Sequence, residues 1–200
     1  MTHRFTAAWL LAIAAVVCPC SLCPAQAQHS ESGSILIDGE QVAYRIRRLP
    51  VSSFPDLPET IAAQLDQRGC LIPQTWQSHR PENVVHASFE SSGSSDWAVL
   101  CSAHGTVSLL VFFGSAQAQP ITLASTQETE RLQPHGANGT LGFNWGIDRA
   151  SPGRVHDAQA GLHRRPPAPD HDALADSTLE RRTVYHFYAH NAWMLLETPE

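Results

Sequence analysis

Two short segments of this chain are apolar on both of their alternating faces, and they constrain the fold more than any other feature. In Asp96–Ser102 the apolar set Trp97, Val99 and Cys101 alternates with Ala98 and Leu100, and Thr106–Phe113 has the same character. Successive side chains of a strand point to opposite faces of its sheet, so both segments need cover on both sides. Together with Asn83–Phe89, they predict an antiparallel meander whose last two strands are central and buried.

Turn and helix signals predict the elements around this meander. Asp38-Gly39 separates two alternating runs and favours a first hairpin. The segment from Pro58 to Gly69 has apolar residues at helical spacing and favours a helix that packs on the sheet. Further strands are expected at 121–124 and 141–145, and a terminal hairpin at 183–197.

The expected fold class is α+β, mainly an antiparallel β sheet of about six to eight strands with one principal helix. Residues 148–176 are polar and rich in Pro, His and Arg, and are expected to form a long excursion on the surface.

The first 27 residues have the pattern of a signal peptide. His3 and Arg4 precede an apolar run from Phe5 to Val17, which is shorter than the roughly 20 residues of a membrane-spanning helix. Ala25-Gln26-Ala27 is a small-x-small cleavage site, so residues 28–200 are expected to form a single mature domain in the periplasm or outside the cell. The alternatives are an amino-terminal anchor, or a lipid or metal site at the cysteines of this segment.

Charge argues against a nucleic-acid partner. The chain carries 13 basic and 19 acidic residues, and its net charge of −6 becomes −7 when the predicted signal peptide and its one arginine are removed. Nucleic-acid binding needs a basic stripe that neutralises phosphates, and the scattered arginines do not form one. We therefore expect no nucleic-acid partner, and no membrane contact after signal cleavage.

The predicted mature domain contains two cysteines, Cys70 and Cys101. In an oxidising compartment two cysteines most simply form one structural disulfide. The alternative is a reactive or metal-binding thiol, which His104 could assist only beside Cys101.

Three segments carry a resemblance to a group of uncharacterised secreted bacterial proteins that share GCxIPQ and DWAVLCS segments. The matching residues are Gly69-Cys70-Leu71-Ile72-Pro73-Gln74, Asn83-Val84-Val85 and Asp96-Trp97-Ala98-Val99-Leu100-Cys101-Ser102. The resemblance covers about residues 60–113 and implies export, but it carries no activity with it.

The run from Ser88 to Val99 is also similar to a single degenerate FG-GAP repeat, in which an acidic loop binds calcium. That likeness implies Glu90 and Asp96 as carboxylate ligands of a calcium ion. The alternative is a hairpin turn in which Asp96 caps the next strand. One copy in a chain of this length does not make a propeller.

Acids and histidines are densest between residues 156 and 176. Asp170, His171, Asp172 and Asp176, with His156 and His163 nearby, could ligate zinc, and Asp172 and Asp176 would share a face if this segment were helical. A metal-assisted hydrolase is the functional alternative that follows. The structural alternative is a helix start with Asp170 as its N-cap.

The terminal hairpin offers aromatic side chains for recognition. Tyr185, Tyr188 and Trp193 are the candidate contacts for a protein or small-molecule partner, because aromatic residues dominate binding hot spots. The alternative is that they form one core face of an edge hairpin. His186 and His190 of the same hairpin are expected at the surface of a sheet face. Common catalytic motifs are absent, so the sequence predicts an exported, non-catalytic binding protein with no expected cofactor.

Processing of the signal peptide is directly testable. Mature protein recovered from an expressing Gram-negative cell should begin at Gln28, as read from its intact mass. Retention of residues 1–27, or a diacylglyceryl group on a cysteine, would contradict the prediction.

Overall fold

The computed structural model describes residues 29–114, 119–160, 162, 165, 167 and 169–197. The predicted signal peptide and His163 lie outside these residues. Strands make up 52% of the described residues and form two sheets rather than the one expected, so the class is α+β and mainly sheet. No helix in the described ranges is long and apolar enough to cross a membrane.

In the described part of the chain, nine strands form the larger sheet, sheet A, and four form sheet B. Sheet A contains β1 (His29–Ile37), β2 (Glu40–Pro50), β3 (Leu71–Gln74), β4 (Val84–Ala87), β5 (Asp96–Ala103), β6 (Thr106–Phe112), β7 (Ile121–Gln127), β8 (Leu132–His135) and β9 (Thr140–Phe143). Sheet B contains β10 (Trp145–Ala150), β11 (Ala173–Thr178), β12 (Arg182–Ala189) and β13 (Ala192–Glu197). The helices are α1 (Glu59–Gln67) and α2 (Pro152–Gln159).

Three apolar clusters arrange these elements in four layers. The first cluster joins β5 and β6 of sheet A to Trp145, Ile147 and Leu174 of sheet B. The second packs α1 against the opposite face of sheet A, and the third packs α2 against the opposite face of sheet B. The layer order is therefore α1, sheet A, sheet B, α2, and the central strands β5, β6 and β11 are buried on both faces.

The double-sided strands confirm the central prediction. Leu100 and Val99 of β5 are both fully buried, but they point into different clusters, one against sheet B and one against α1. The meander, the first hairpin, α1 and the terminal hairpin all form where the sequence predicts them. Asp38 and Gly39 both have positive φ, as a two-residue hairpin turn requires.

The predicted surface excursion at 148–176 is wrong at both ends. Residues up to Ala150 continue β10, and Ala173–Thr178 form β11, whose Ala173, Leu174 and Ala175 are fully buried. Between them, α2 buries Val155. The prediction failed because short alternating runs of Ala, Leu and Ile carry little signal beside the many charged and Pro residues.

Sheet A is mainly antiparallel, as expected, but it contains one parallel pairing. β2 pairs with β9 in parallel, through Tyr44 with Leu141 and Arg45 with Gly142. Beyond this point β2 pairs with β3 in the antiparallel sense, from Arg47 to Pro50. Nothing local in a sequence marks a pairing between strands almost 100 residues apart.

Asn83 connects the two sheets through its side chain. Its Nδ2 donates to the carbonyl oxygens of Pro73 at 2.7 Å and Trp145 at 3.2 Å, and its Oδ1 accepts from the Ile147 N–H at 2.9 Å. Asn83 also has φ of 69°, a conformation that Asn tolerates better than most residues. The buried amide therefore fixes the start of β10 against sheet A.

Cys70 and Cys101 lie at disulfide distance, with Cα atoms 5.1 Å apart. Both are buried in the cluster beneath α1, and the bridge joins the end of that helix to β5.

Loss of this bridge should destabilise the domain. A Cys70→Ala/Cys101→Ala protein should lose about 3 to 4 kcal/mol of unfolding free energy on the chain-entropy account, measured by urea unfolding. Non-reducing peptide mapping of the unmodified protein should find the two cysteines linked. Two free thiols in periplasmic protein, or equal stability of the variant, would contradict this account.

Candidate functional site

One cleft collects polar residues from three separate segments. This cleft, which we call the hairpin cleft, has a volume of about 360 Å³. Its lining comes from Glu90 beyond β4, from Pro167 and Pro169–His171 before β11, and from the turn of the terminal hairpin at Tyr188–Asn191. Four residues singled out from the sequence for different reasons, Glu90, Asp170, His171 and Tyr188, therefore line the same cavity.

Asp96 holds the loop that carries Glu90. Its side chain is fully buried, and Oδ2 accepts hydrogen bonds from the N–H groups of Phe89 and Glu90, both at 2.8 Å. The Ser94 hydroxyl donates to the same oxygen, and the Gly114 N–H donates to Oδ1 at 2.7 Å. Asp96 thus organises the turn, as its structural alternative expected, while Glu90 lines the hairpin cleft.

Asp172 fastens the other side of the cleft to sheet A. Its Oδ2 accepts from the Ser88 N–H at 3.1 Å, and its Oδ1 pairs with Arg149 Nε at 2.9 Å. Ser88 lies two residues before Glu90, and Asp172 follows His171 directly. The contact therefore sets the separation of Glu90 from the Asp170–His171 pair.

Asp170 and His171 form the most polar part of the cleft. His171 Nδ1 lies 2.6 Å from Asp170 Oδ1, and this hydrogen bond lowers the pKa of the Asp170 carboxyl. Only 8% of the His171 side chain is exposed, whereas Asp170 is largely solvated. His171 Nε2 is buried and has no hydrogen-bond partner among the described residues. Buried polar atoms in folded proteins are nearly always hydrogen-bonded, so this nitrogen is an exception beside the cleft.

The aromatic residues of the terminal hairpin divide between the core and the cleft. Tyr185 is buried in the cluster under α2, so its core alternative is correct. Tyr188 and Trp193 are half-buried and pack with Phe113, the residue after β6. The Tyr188 ring lies edge-on to Phe113, with centroids 4.8 Å apart, and to Trp193, at 5.5 Å. These contacts fix the Tyr188 ring at the cleft.

Asp172 and Asp176 do not share a helical face, because Asp176 lies in β11 and Asp172 directly precedes that strand. Asp176 accepts from Trp145 Nε1 at 2.6 Å and pairs with His186 Nε2 at 3.1 Å. Four residues of strand span about 13 Å, so the two carboxylates cannot grip one ion. Among the residues that the structure describes, no three His, Cys, Asp or Glu side chains group as metal ligands.

The position of His186 differs from the one expected from the sequence. The alternation of the last hairpin predicts a surface histidine, yet His186 is buried against Asp176 between the sheets. Arg131 covers the Trp145 ring beside this pair, with its guanidinium carbon 4.0 Å from the ring centroid. Burial lowers the pKa of Arg131. These polar side chains satisfy one another inside the fold.

A second cleft, of about 510 Å³, was not predicted from the sequence. Its walls are Phe54, Pro55 and Leu57 on one side and Val84, His86 and Trp97 on the other, with Ser53 and Asp56 among its polar residues. His86 stacks on Trp97 with centroids 4.4 Å apart, and its Nε2 lies 2.9 Å from Ser95 Oγ. The register between β4 and β5 would have indicated this cleft, because it places His86 opposite Trp97.

Comparison with known proteins gives no relative: no protein-family model, curated protein or solved structure matches this chain.

The role of Asp96 in the turn predicts the effect of removing its charge. Asp96→Asn should cost about 2 to 4 kcal/mol of unfolding free energy, because an amide cannot accept all four hydrogen bonds of a buried carboxylate. The matched control is Asp38→Asn, which changes an exposed turn residue and should stay within about 0.5 kcal/mol. Both are measured by urea unfolding.

The calcium hypothesis for Glu90 and Asp96 makes a different prediction. If Asp96 were a calcium ligand, chelation with EDTA would destabilise the unmodified protein, and added calcium would restore it. If EDTA leaves the stability unchanged while Asp96→Asn lowers the unfolding free energy, Asp96 organises the turn and does not bind calcium.

Proposed function

We propose that this chain is an exported, non-catalytic binding protein, and that its hairpin cleft binds a small cationic ligand with an apolar body. The observation that carries the proposal is the convergence of Glu90, Asp170, His171 and Tyr188 from three separate segments in one cavity. Structural polar groups in a core satisfy one another, as Asp176 and His186 do. His171 Nε2 has no such partner among the described residues, which supports a role in holding a ligand.

The charges of the cleft favour a cation. Glu90 and Asp170 are its acidic lining residues, and no arginine contributes to the lining among the described residues. The hydrogen bond from His171 lowers the pKa of Asp170, so this carboxyl stays ionised to a lower pH than an ordinary aspartate. An ammonium or guanidinium group would be attracted to these two carboxylates.

The remaining walls favour an apolar body beside the charge. Pro167, Pro169 and the Tyr188 ring provide flat apolar surface, and Phe113 and Trp193 hold the ring in place. A cation near the face of a tyrosine gains a further cation–π attraction. Because the ring is already fixed by packing, little side-chain entropy is lost on binding. The cavity volume of about 360 Å³ is within the range of small-molecule sites.

Binding of a matched pair of ligands tests this function. Phenethylamine should bind the mature protein in isothermal titration calorimetry, whereas 3-phenylpropionate, of similar size and opposite charge, should not. Asp170→Asn should weaken phenethylamine binding about tenfold, since the amide still accepts the His171 hydrogen bond but lacks the charge.

The control variant is Asp56→Asn, which removes an exposed acid from the second cleft. It should leave the affinity unchanged. If Asp56→Asn weakens binding and Asp170→Asn does not, the hairpin cleft is not the site. Stoichiometric zinc or manganese that survives dialysis of the purified protein would instead favour the metal-assisted hydrolase.

A further inference from the structure

A third cavity lies where β2 changes its partner strand. β2 pairs with β9 at Tyr44 and Arg45 and with β3 from Arg47 onward, so the two partner strands meet beside it. The cavity at this junction has a volume of about 170 Å³ and is lined by Arg45, Arg47, Gln74, Thr75, Trp76 and His135. We call it the junction pocket. It shares no lining residue with the hairpin cleft, so the inference is independent of the proposed function.

One wall of the junction pocket is formed by two stacked aromatic rings that pack against the backbone of Gly142. Trp76 and His135 are nearly parallel, with centroids 4.9 Å apart and an angle of 7° between the planes. A Cβ on Gly142 would lie 2.6 Å from Trp76 Cβ and 2.7 Å from His135 Cδ2, both too close for any side chain. The stack therefore requires glycine at this position of β9.

Two arginines of β2 bring unneutralised charge to the pocket. Arg48, the residue after Arg47, is buried and paired with both Glu128 and Glu31. Arg45 and Arg47 have no carboxylate partner in the described ranges, and Arg47 Nη2 donates instead to the Ser78 carbonyl oxygen at 2.9 Å. The nearby Glu82 carboxylate accepts from the Thr75 N–H at 2.6 Å rather than from an arginine.

A buried donor on one of the residues that line the pocket also lacks a partner. Trp76 Nε1 is shielded from solvent and makes no hydrogen bond to any described residue. A buried N–H without an acceptor costs free energy, and such groups are usually satisfied by a ligand or a water. Two guanidinium groups and an indole N–H supply donors only, so the group that fits them is an acceptor with negative charge.

We propose that the junction pocket binds a small oxyanion, either a carboxylate or a phosphate group. Arg45 and Arg47 supply charge-assisted hydrogen bonds, the Trp76 indole supplies a neutral donor, and the His135–Trp76 stack forms a flat wall. A cavity of about 170 Å³ admits the anionic group of a ligand and leaves a larger body outside. The protein as a whole is acidic, so attraction of an anion depends on this local pair.

Titration with inorganic and organic anions tests the proposal. The mature protein is titrated with phosphate, sulfate and acetate at constant ionic strength set by chloride, and binding is followed by the indole and backbone N–H signals in NMR spectra. Saturable shifts of the Trp76 indole signal are expected. Preference for acetate or for phosphate identifies the carboxylate or the phosphate class.

Three variants locate the binding. Arg45→Gln should weaken binding about tenfold, because it removes one charge-assisted contact. Trp76→Phe keeps the ring stack without the N–H and should weaken binding severalfold. Arg181→Gln, an exposed arginine at the turn before β12, is the matched control and should bind as the unmodified protein does.

Two results would overturn the proposal. One is the absence of saturable shifts with all three anions in unmodified protein that gives a folded spectrum. The other is equal weakening by Arg45→Gln and Arg181→Gln, which would show a general effect of net charge.

Discussion

The structure around the proposed binding site depends on one buried carboxylate. Asp96 is fully buried and accepts hydrogen bonds from the backbone of Phe89, Glu90 and Gly114 and from the Ser94 hydroxyl. Burying a carboxylate is costly unless such donors surround it, so the loop after β4 and the chain after β6 must both close on this side chain. The loop after β4 carries Glu90 into the hairpin cleft. The chain after β6 begins with Phe113, whose ring packs against Tyr188. The residue that the sequence suggests as a calcium ligand is thus placed to build the cleft.

The cleft also requires the two sheets to stay together. Asn83 binds the backbone of β10, and Asp172 binds Ser88 at the end of β4, so polar side chains connect the sheets at two places. Between these contacts, Trp145 and Leu174 pack into the main apolar cluster. Because Glu90 is attached to sheet A and Tyr188 to sheet B, any loosening of the sheets would separate the two sides of the cleft. Binding and domain stability should therefore be coupled.

Local patterns predicted the elements, and contacts between distant segments decided what the sequence could not predict. Alternation predicted the buried strands from Asp96 to Phe113 because a strand apolar on both faces has few other places to lie. By contrast, Asp170–Asp176 looked like a helix start, but pairing with β10 and β12 made its second half a strand. His186 was expected at the surface because the sequence does not show its partner, Asp176. Residue chemistry singled out Glu90 and Asp170 as candidate site residues, but only the fold places them in one cleft. No three potential metal ligands group together among the described residues.

The central claim is that the hairpin cleft is where a ligand binds. Nuclear Overhauser effects from bound phenethylamine to the protein test it most directly. They are observed only between protons within about 5 Å of each other, a distance that packed aromatic rings satisfy. The account predicts contacts from the ligand's phenyl protons to the Tyr188 ring and from its methylene protons to the His171 ring. Contacts to Trp97 and His86 in the second cleft instead, or a saturable titration with no contact to Tyr188 or His171, would contradict it.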